Sequence, residues 1–380
     1  MTPTSINLTF SKKSMKVLRK ILALSFLRPI SLVSVTPTEP YIHRLPAELL
    51  RQIFLFIVHS APDSPSIFSC GRYTISANVS SPPIVLTRVC HLWRVAALST
   101  AGVWSRIQVV LPGQVRSFGP FLPHLLQCWL ARSGSLPLTL HIVNSTPCHN
   151  FTCANRNHYP WIITQTNARL LNILLSESKR WATVVMPHPC DWGFNFNTPQ
   201  LRALECCSSN DLSKFYAPNI SRLYINTHCY LVSPMRLRIP FYKDLRHLHL
   251  RDASVFALCS TIADFPHLET IAVDEIYLVN VPAARSYSAT LESMTLPLPS
   301  SRLRQELKGL FGLLHLPIFR KLTVVGTPKK RRVDHLLSML AVASFRVPVV
   351  DFQTDAPLKK AHMSRIESLL SVVGEVTFCG

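Results

Sequence analysis

The sequence predicts a chain in two parts, an N-terminal all-α helical bundle followed by an α/β array of short repeating units. Three observations carry this expectation. Apolar residues recur at helical spacing between His43 and Val58 and again between Leu86 and Ala97. From Leu201 onward an apolar triplet of the form Leu-x-x-Leu-x-Leu returns at steps of about 19 to 28 residues. Hydrophobic residues make up 48% of the 380 and charged residues only 16%, which supplies apolar material for a core along the whole chain. The expected boundaries are a flexible basic tail over 1–40, a helical domain over 41–111 with a loop insert at 60–83, a linker helix within 112–135, and the repeat domain over 136–380.

The tail carries six basic residues and no acid from Lys12 to Arg28. A flexible tail, an organellar presequence and a secretory signal all fit it. Its apolar run, Ile21 to Leu27, is too short to cross a bilayer, and no other stretch reaches the required length, so no membrane is expected.

The first helix is expected from Pro46, a residue suited to the first helical position, with Glu48 at the positive end of the helix dipole. Leu45, Leu49, Ile53 and Ile57 fall on one stripe, and Leu50, Phe54 and Leu55 widen it beyond the need of a solitary surface helix, which implies a second covered face. Ser60 to Pro83, rich in Ser and Pro, reads as a loop. Leu86, Val89, Cys90, Trp93, Ala96 and Ala97 restore helical spacing, and Thr100-Ala101-Gly102 ends it before Trp104. The alternative to a separate helical domain is that these helices form the cap of the domain that follows.

A further helix is expected from Phe121 to Ala131, followed by apolar alternation at Leu136 to Ile142. The repeating triplets then begin at Leu201, Ile220, Leu245, Leu268, Leu291 and Phe319. Their step is close to that of leucine-rich repeats. Each would start a strand whose second and third apolar residues point inward while the intervening side chains face out. Stacked in parallel, with helices such as Val255 to Ile262 and Arg302 to Leu314 on the outer side, they would close into an irregular leucine-rich-repeat-like solenoid. Alternation places Glu205, Tyr224, Asn226, His247, His249, Arg251 and Asp274 on the outward strand face, a candidate surface for a protein target.

Leu45-Pro46-x-Glu48-Leu49-Leu50-x-x-Ile53-Phe54, then Val89-Cys90-x-x-Trp93-Arg94-x-x-Ala97-Leu98-Ser99-Thr100 and Trp104, resemble the F-box of fungal F-box proteins. Trp129 to Leu138 and Ser178 to Trp181 resemble segments of the C-terminal half of the same family. The resemblance implies an apolar surface that docks a Skp-type adaptor within a cullin ubiquitin ligase, with Leu45, Pro46, Leu49, Ile53, Val89 and Trp93 in or beneath that interface. It further implies a repeat domain that selects an unknown protein substrate for ubiquitination, and no catalysis by the chain itself. A non-ligase binding scaffold and a basic nucleic-acid-associated solenoid are the alternatives.

A formal charge of +20 suits nucleic acid, an anionic surface or an acidic partner. Because the Lys and Arg residues are scattered along the chain, a dedicated nucleic-acid interface is not expected. The eleven cysteines are irregularly spaced, which favours a reducing compartment over a disulfide scaffold. Cys148-His149 with Cys153 and His158 lacks the spacing of a common zinc module, so neither a metal nor another cofactor is expected. No nucleophile elbow, phosphate-binding Gly-rich loop or His-Glu-x-x-His helix is present. Pro328 to Val333 is a compact basic run resembling a nuclear localisation signal and reads equally as a solvated loop, so a cytoplasmic or nuclear location, or both, is expected.

Overall fold

A computed structural model describes residues 45–70, 74–112, 121–144, 165–187, 195–207, 212–226, 244–277, 285–301, 303–354 and 366–379. The expected tail over 1–40 lies outside the described residues. The architecture is α/β, organised on one 11-stranded parallel sheet whose strands lie side by side in the order in which the chain supplies them.

The described residues begin with helix α1 (Ala47–His59), a two-stranded antiparallel ribbon of β1 (Phe68–Cys70) and β2 (Ile75–Ala77), and helices α2 (Pro82–Leu86) and α3 (His91–Ser99). A 3-10 turn over Ala101–Trp104 leads into β3 (Arg106–Leu111), the first strand of the large sheet. Helix α4 (Phe121–Arg132) precedes β4 (Leu138–Asn144), and α5 (Gln165–Ser176) precedes β5 (Trp181–Met186).

Short strands then serve as the outer elements. β6 (Phe196–Asn197) and β8 (Phe215–Tyr216) pair with each other behind β7 (Ala203–Cys206) and β9 (Arg222–Ile225). β10 (His247–Ser254) runs straight into α6 (Val255–Asp264), with the Ser254 hydroxyl accepting the Ala257 N–H as the helix cap. Then come β11 (Thr270–Tyr277), β12 (Ser286–Tyr287), β13 (Ser293–Pro297), α7 (Arg304–Leu313), β14 (Leu314–His315), β15 (Lys321–Val325), α8 (Lys330–Leu340), β16 (Val349–Gln353) and β17 (Glu375–Cys379).

Pairing register explains the core. One apolar row crosses the sheet in exact succession of neighbours: Ile107, Leu140, Val184, Leu204, Leu223 and Leu248, continuing through Ile271, Met294, Leu322, Val350 and Val376. A strand with a single apolar side cannot bury it alone, and here each step covers its neighbour while the helices and short strands cover the row from outside. All three apolar residues of each triplet are buried, Leu201, Leu204 and Cys206 in one and Leu245, Leu248 and Leu250 in another.

The expected division into an all-α bundle plus a separate leucine-rich-repeat-like solenoid is corrected by two findings. First, the insert at 60–83 is not a plain loop. It contains the β1–β2 ribbon, and its backbone docks on the sheet edge, Ile67 N–H donating to Gln108 O (3.0 Å) and Gln108 N–H to Pro65 O (2.8 Å). An edge strand presents unpaired backbone groups, and residues 65–67 satisfy those of Gln108 on β3. Second, Leu50, Phe54, Ala97 and Trp104 belong to the same continuous core as the strand rows, so no independent helical bundle is present among the described residues.

Specific polar contacts join the two regions. The Arg106 guanidinium donates to the carbonyls of Val58, His59 and Ala61 (3.1, 2.9 and 3.2 Å), closing the C-terminal end of α1 onto the start of β3. The Trp104 indole donates to Ala97 O (2.8 Å) and meets Trp129 edge-on at 5.0 Å, while the Trp129 indole donates to Trp104 O (3.1 Å). The two later fragments singled out in the sequence meet as well. Arg180 donates to the Ser133 hydroxyl (2.8 Å) and to Leu136 O, and pairs with Glu177 at 2.7 Å. Between them Gly134, at φ 57°, takes the left-handed conformation that ends α4.

Candidate functional site

Two surfaces hold the residues expected to function. The first is built by α1 and α3. Helix α1 has Pro46 as its cap residue and starts at Ala47, one residue later than expected, with Glu48 in its first turn. Leu50, Phe54 and Val58 face the core at four-residue spacing. Leu50 is 0% exposed, whereas its neighbour Leu49 is 51% exposed, Ile53 40% and Phe56 70%. The helix therefore carries two apolar faces, and the stripe expected through Leu49 and Ile53 is the one left uncovered among the described residues.

The remaining candidates of this set surround that face. Leu45 is half-buried against the core and Pro46 is exposed. Val89 is exposed in the turn between α2 and α3. Trp93 is half-buried with its ring 5.0 Å from that of Phe54, and its indole nitrogen is enclosed without a hydrogen-bond partner among the described residues. The sequence reading overlooked Phe56, Val85, Val95 and Leu98, which are also exposed. Nearly half of the exposed large apolar side chains among the described residues lie between Leu49 and Leu98. A concentration of this kind marks an interaction surface more often than it occurs by chance on a soluble protein.

The second surface is the outward face of the sheet. The register runs Glu205 to Tyr224 to His249 across β7, β9 and β10. Tyr224 stacks on His249 at 4.3 Å between ring centroids, and His249 Nε2 lies 2.8 Å from Asp274 Oδ1 on β11. One level along the strands, Arg251 donates to Asn226 Oδ1 at 2.7 Å. His247, one level the other way, meets the Thr270 hydroxyl at 3.0 Å instead of joining the group. Six of the seven strand-face candidates thus form one cluster, and His247 stands beside it.

The electrostatics of the cluster follow from partial burial. Burial pushes the Glu205 carboxyl above its ordinary value, with His249 pulling the other way. Tyr224 is pushed up to about 12, first by burial and then by the carboxylates of Asp274 and Glu205, with Arg251 opposing. These groups can hydrogen-bond and pair with charge.

The cysteine and histidine residues 148–158 lie outside the described residues. Among the described residues no group of three or more His, Cys, Asp or Glu side chains could hold a metal ion, and no helix is long and apolar enough to cross a membrane. The basic run is not an extended peptide, because Lys330 to Val333 form the start of α8 and Val333 is buried. In comparisons with known proteins, no family model and no curated protein matches the chain.

Proposed function

We propose that the chain is the substrate-recognition subunit of a Skp-cullin-F-box type ubiquitin ligase. The uncovered face of α1, with Leu49, Ile53 and Phe56, docks the Skp-type adaptor, and the outward face of the sheet captures the protein to be modified. A recruited enzyme performs ubiquitin transfer, so no residue of this chain needs to do chemistry. The contribution is proximity: a target held near the charged ubiquitin carrier reacts as part of one assembly instead of by diffusional encounter.

The observation that carries this reading is the second apolar face of α1, placed on the residues that resemble the F-box motif. Covering exposed Leu, Ile and Phe side chains is worth about 1 to 2 kcal/mol each when half of the side chain is still exposed beforehand. The common core joins the docking region rigidly to the strand face, which suits a part that must hold one protein at a fixed place relative to another.

Affinity purification of the whole chain, with and without Leu49→Asp, tests the reading. A Skp-type adaptor and a cullin are expected with the unaltered chain and are expected to be lost from the variant. Absence from both samples, or equal recovery from both, refutes the proposal. Because Leu49 is half exposed, the variant keeps the inner face of α1 intact.

A further inference from the structure

One row on the outward face of the sheet differs in charge from the chain as a whole. The chain carries a formal charge of +20, yet the middle row of that face holds no lysine or arginine on any of its strands. In register the row runs Gln108, His141, Val185, Glu205, Tyr224 and His249, then continues through Ala272, Thr295, Thr323, Asp351 and Thr377. Of its two carboxylates, Asp351 is buried and answered by Lys321 at 2.8 Å and the Thr377 hydroxyl at 2.8 Å. Glu205 stands beside Tyr224, and the Asp274 carboxylate reaches His249 from the neighbouring level with its side chain half exposed.

Shape adds to charge. His249 is followed in register by Ala272, whose short side chain leaves the row without a long one between His249 and Thr295. Arg251, a cationic member of the cluster one level along the strands, donates to the neutral Asn226 side chain. Burial, and after it the carboxylates of Asp274 and Glu205, disfavours ionisation of the Tyr224 hydroxyl, with Arg251 opposing. At physiological salt the screening length is about 8 Å, so these nearby groups outweigh the distant basic residues.

We propose that this face binds an extended target segment through an arginine or lysine side chain, its cationic head lying against an outer ring face of the Tyr224–His249 stack, where Glu205 flanks the tyrosine and Asp274 the histidine. A cation is attracted to an aromatic face and to both carboxylates, whereas an acidic or phosphorylated segment meets like charge. A strand face displays side chains at a spacing of about 4.8 Å, which suits an extended chain laid across it. The proposal names the class of target for the adaptor and rests on that reading for its biological purpose.

The test is selection of a displayed library of random twelve-residue peptides on the full chain and on the Glu205→Gln/Asp274→Asn double variant. Both substitutions keep side-chain shape, and a thermal scan establishes that the variant is folded. Enriched peptides are expected to share one fixed Arg or Lys position, and synthetic copies are expected to bind the double variant about tenfold or more weakly. Enrichment of acidic or purely apolar peptides, no enrichment, or equal binding to both proteins overturns the proposal. A basic peptide preference in a chain that captures no Skp-type adaptor retains this proposal and removes the ligase reading. The converse result removes this proposal alone.

Discussion

Leu49 and Leu50 are adjacent residues of the same type on the same helix, and alanine at each position measures which way α1 faces. Leu50 is completely buried with Phe54 and Val58, so Leu50→Ala removes buried methyl groups and leaves a cavity, at a cost of about 2 to 5 kcal/mol. Leu49 is 51% exposed, and its truncation is expected to cost no more than about 0.5 kcal/mol. In a chain of a few hundred residues each kcal/mol moves the melting temperature by roughly 2 to 4 °C. Leu50→Ala should therefore lower it by about 4 to 20 °C, while Leu49→Ala leaves it within about 2 °C. Differential scanning calorimetry of the purified variants reads both values. Equal losses, or the larger loss at Leu49, would refute the orientation of α1 and with it the placement of the docking face.

Two further predictions concern the core joint and the strand face. Trp104→Ala deletes a fully buried ring that is hydrogen-bonded to Ala97 O and packed against Trp129, and is expected to cost about 3 to 5 kcal/mol in urea denaturation; a loss confined to local unfolding of residues 45–104, with the sheet melting unchanged, would contradict the shared core. Glu205 has its carboxyl raised by burial, so its ionised form lowers stability above the raised value, and this penalty fades as the pH falls through that value to the ordinary carboxylate range. Glu205→Gln is accordingly expected to raise the melting temperature at neutral pH and to have little effect below about pH 4; a gain of the same size at every pH would show that charge is not its cause.

The strands were legible because their signal is short and local. In Leu245 to Leu250 the alternation alone marks Leu248 and Leu250 as inward and His247 and His249 as outward, and the structure places them so. Several other elements gave no such signal. The β1–β2 ribbon sits in Ser- and Pro-rich sequence whose apolar content is low, and it is held by backbone bonds to Gln108, a partner some forty residues away that no local pattern announces. Strand β3, Arg106–Leu111, was overlooked although it alternates, since it follows directly on the 3-10 turn. Helix α1 was legible as a helix but not in its orientation, because both of its faces are apolar and periodicity cannot say which one the core takes.

The polar cluster divides in the same way. That Tyr224, His249 and Asp274 face outward follows from the period of two along each strand. That Tyr224 stacks on His249, and that His249 reaches Asp274 and not a residue directly beside it, depends on the register between strands whose separation in the sequence varies from step to step. The expectation of two separate parts failed for a related reason. Helical periodicity shows that α1 and α3 bury apolar surface, but not that they bury it against the first strand of the sheet.

Calorimetric titration of the purified full-length chain with a purified Skp-type adaptor, repeated at several temperatures, addresses the docking face most directly. A one-to-one complex with a negative heat-capacity change is expected, as burial of apolar surface requires, and Ile53→Asp is expected to abolish it without lowering the melting temperature. Absence of binding by the well-folded chain, or binding that Ile53→Asp leaves unchanged, would contradict the assignment.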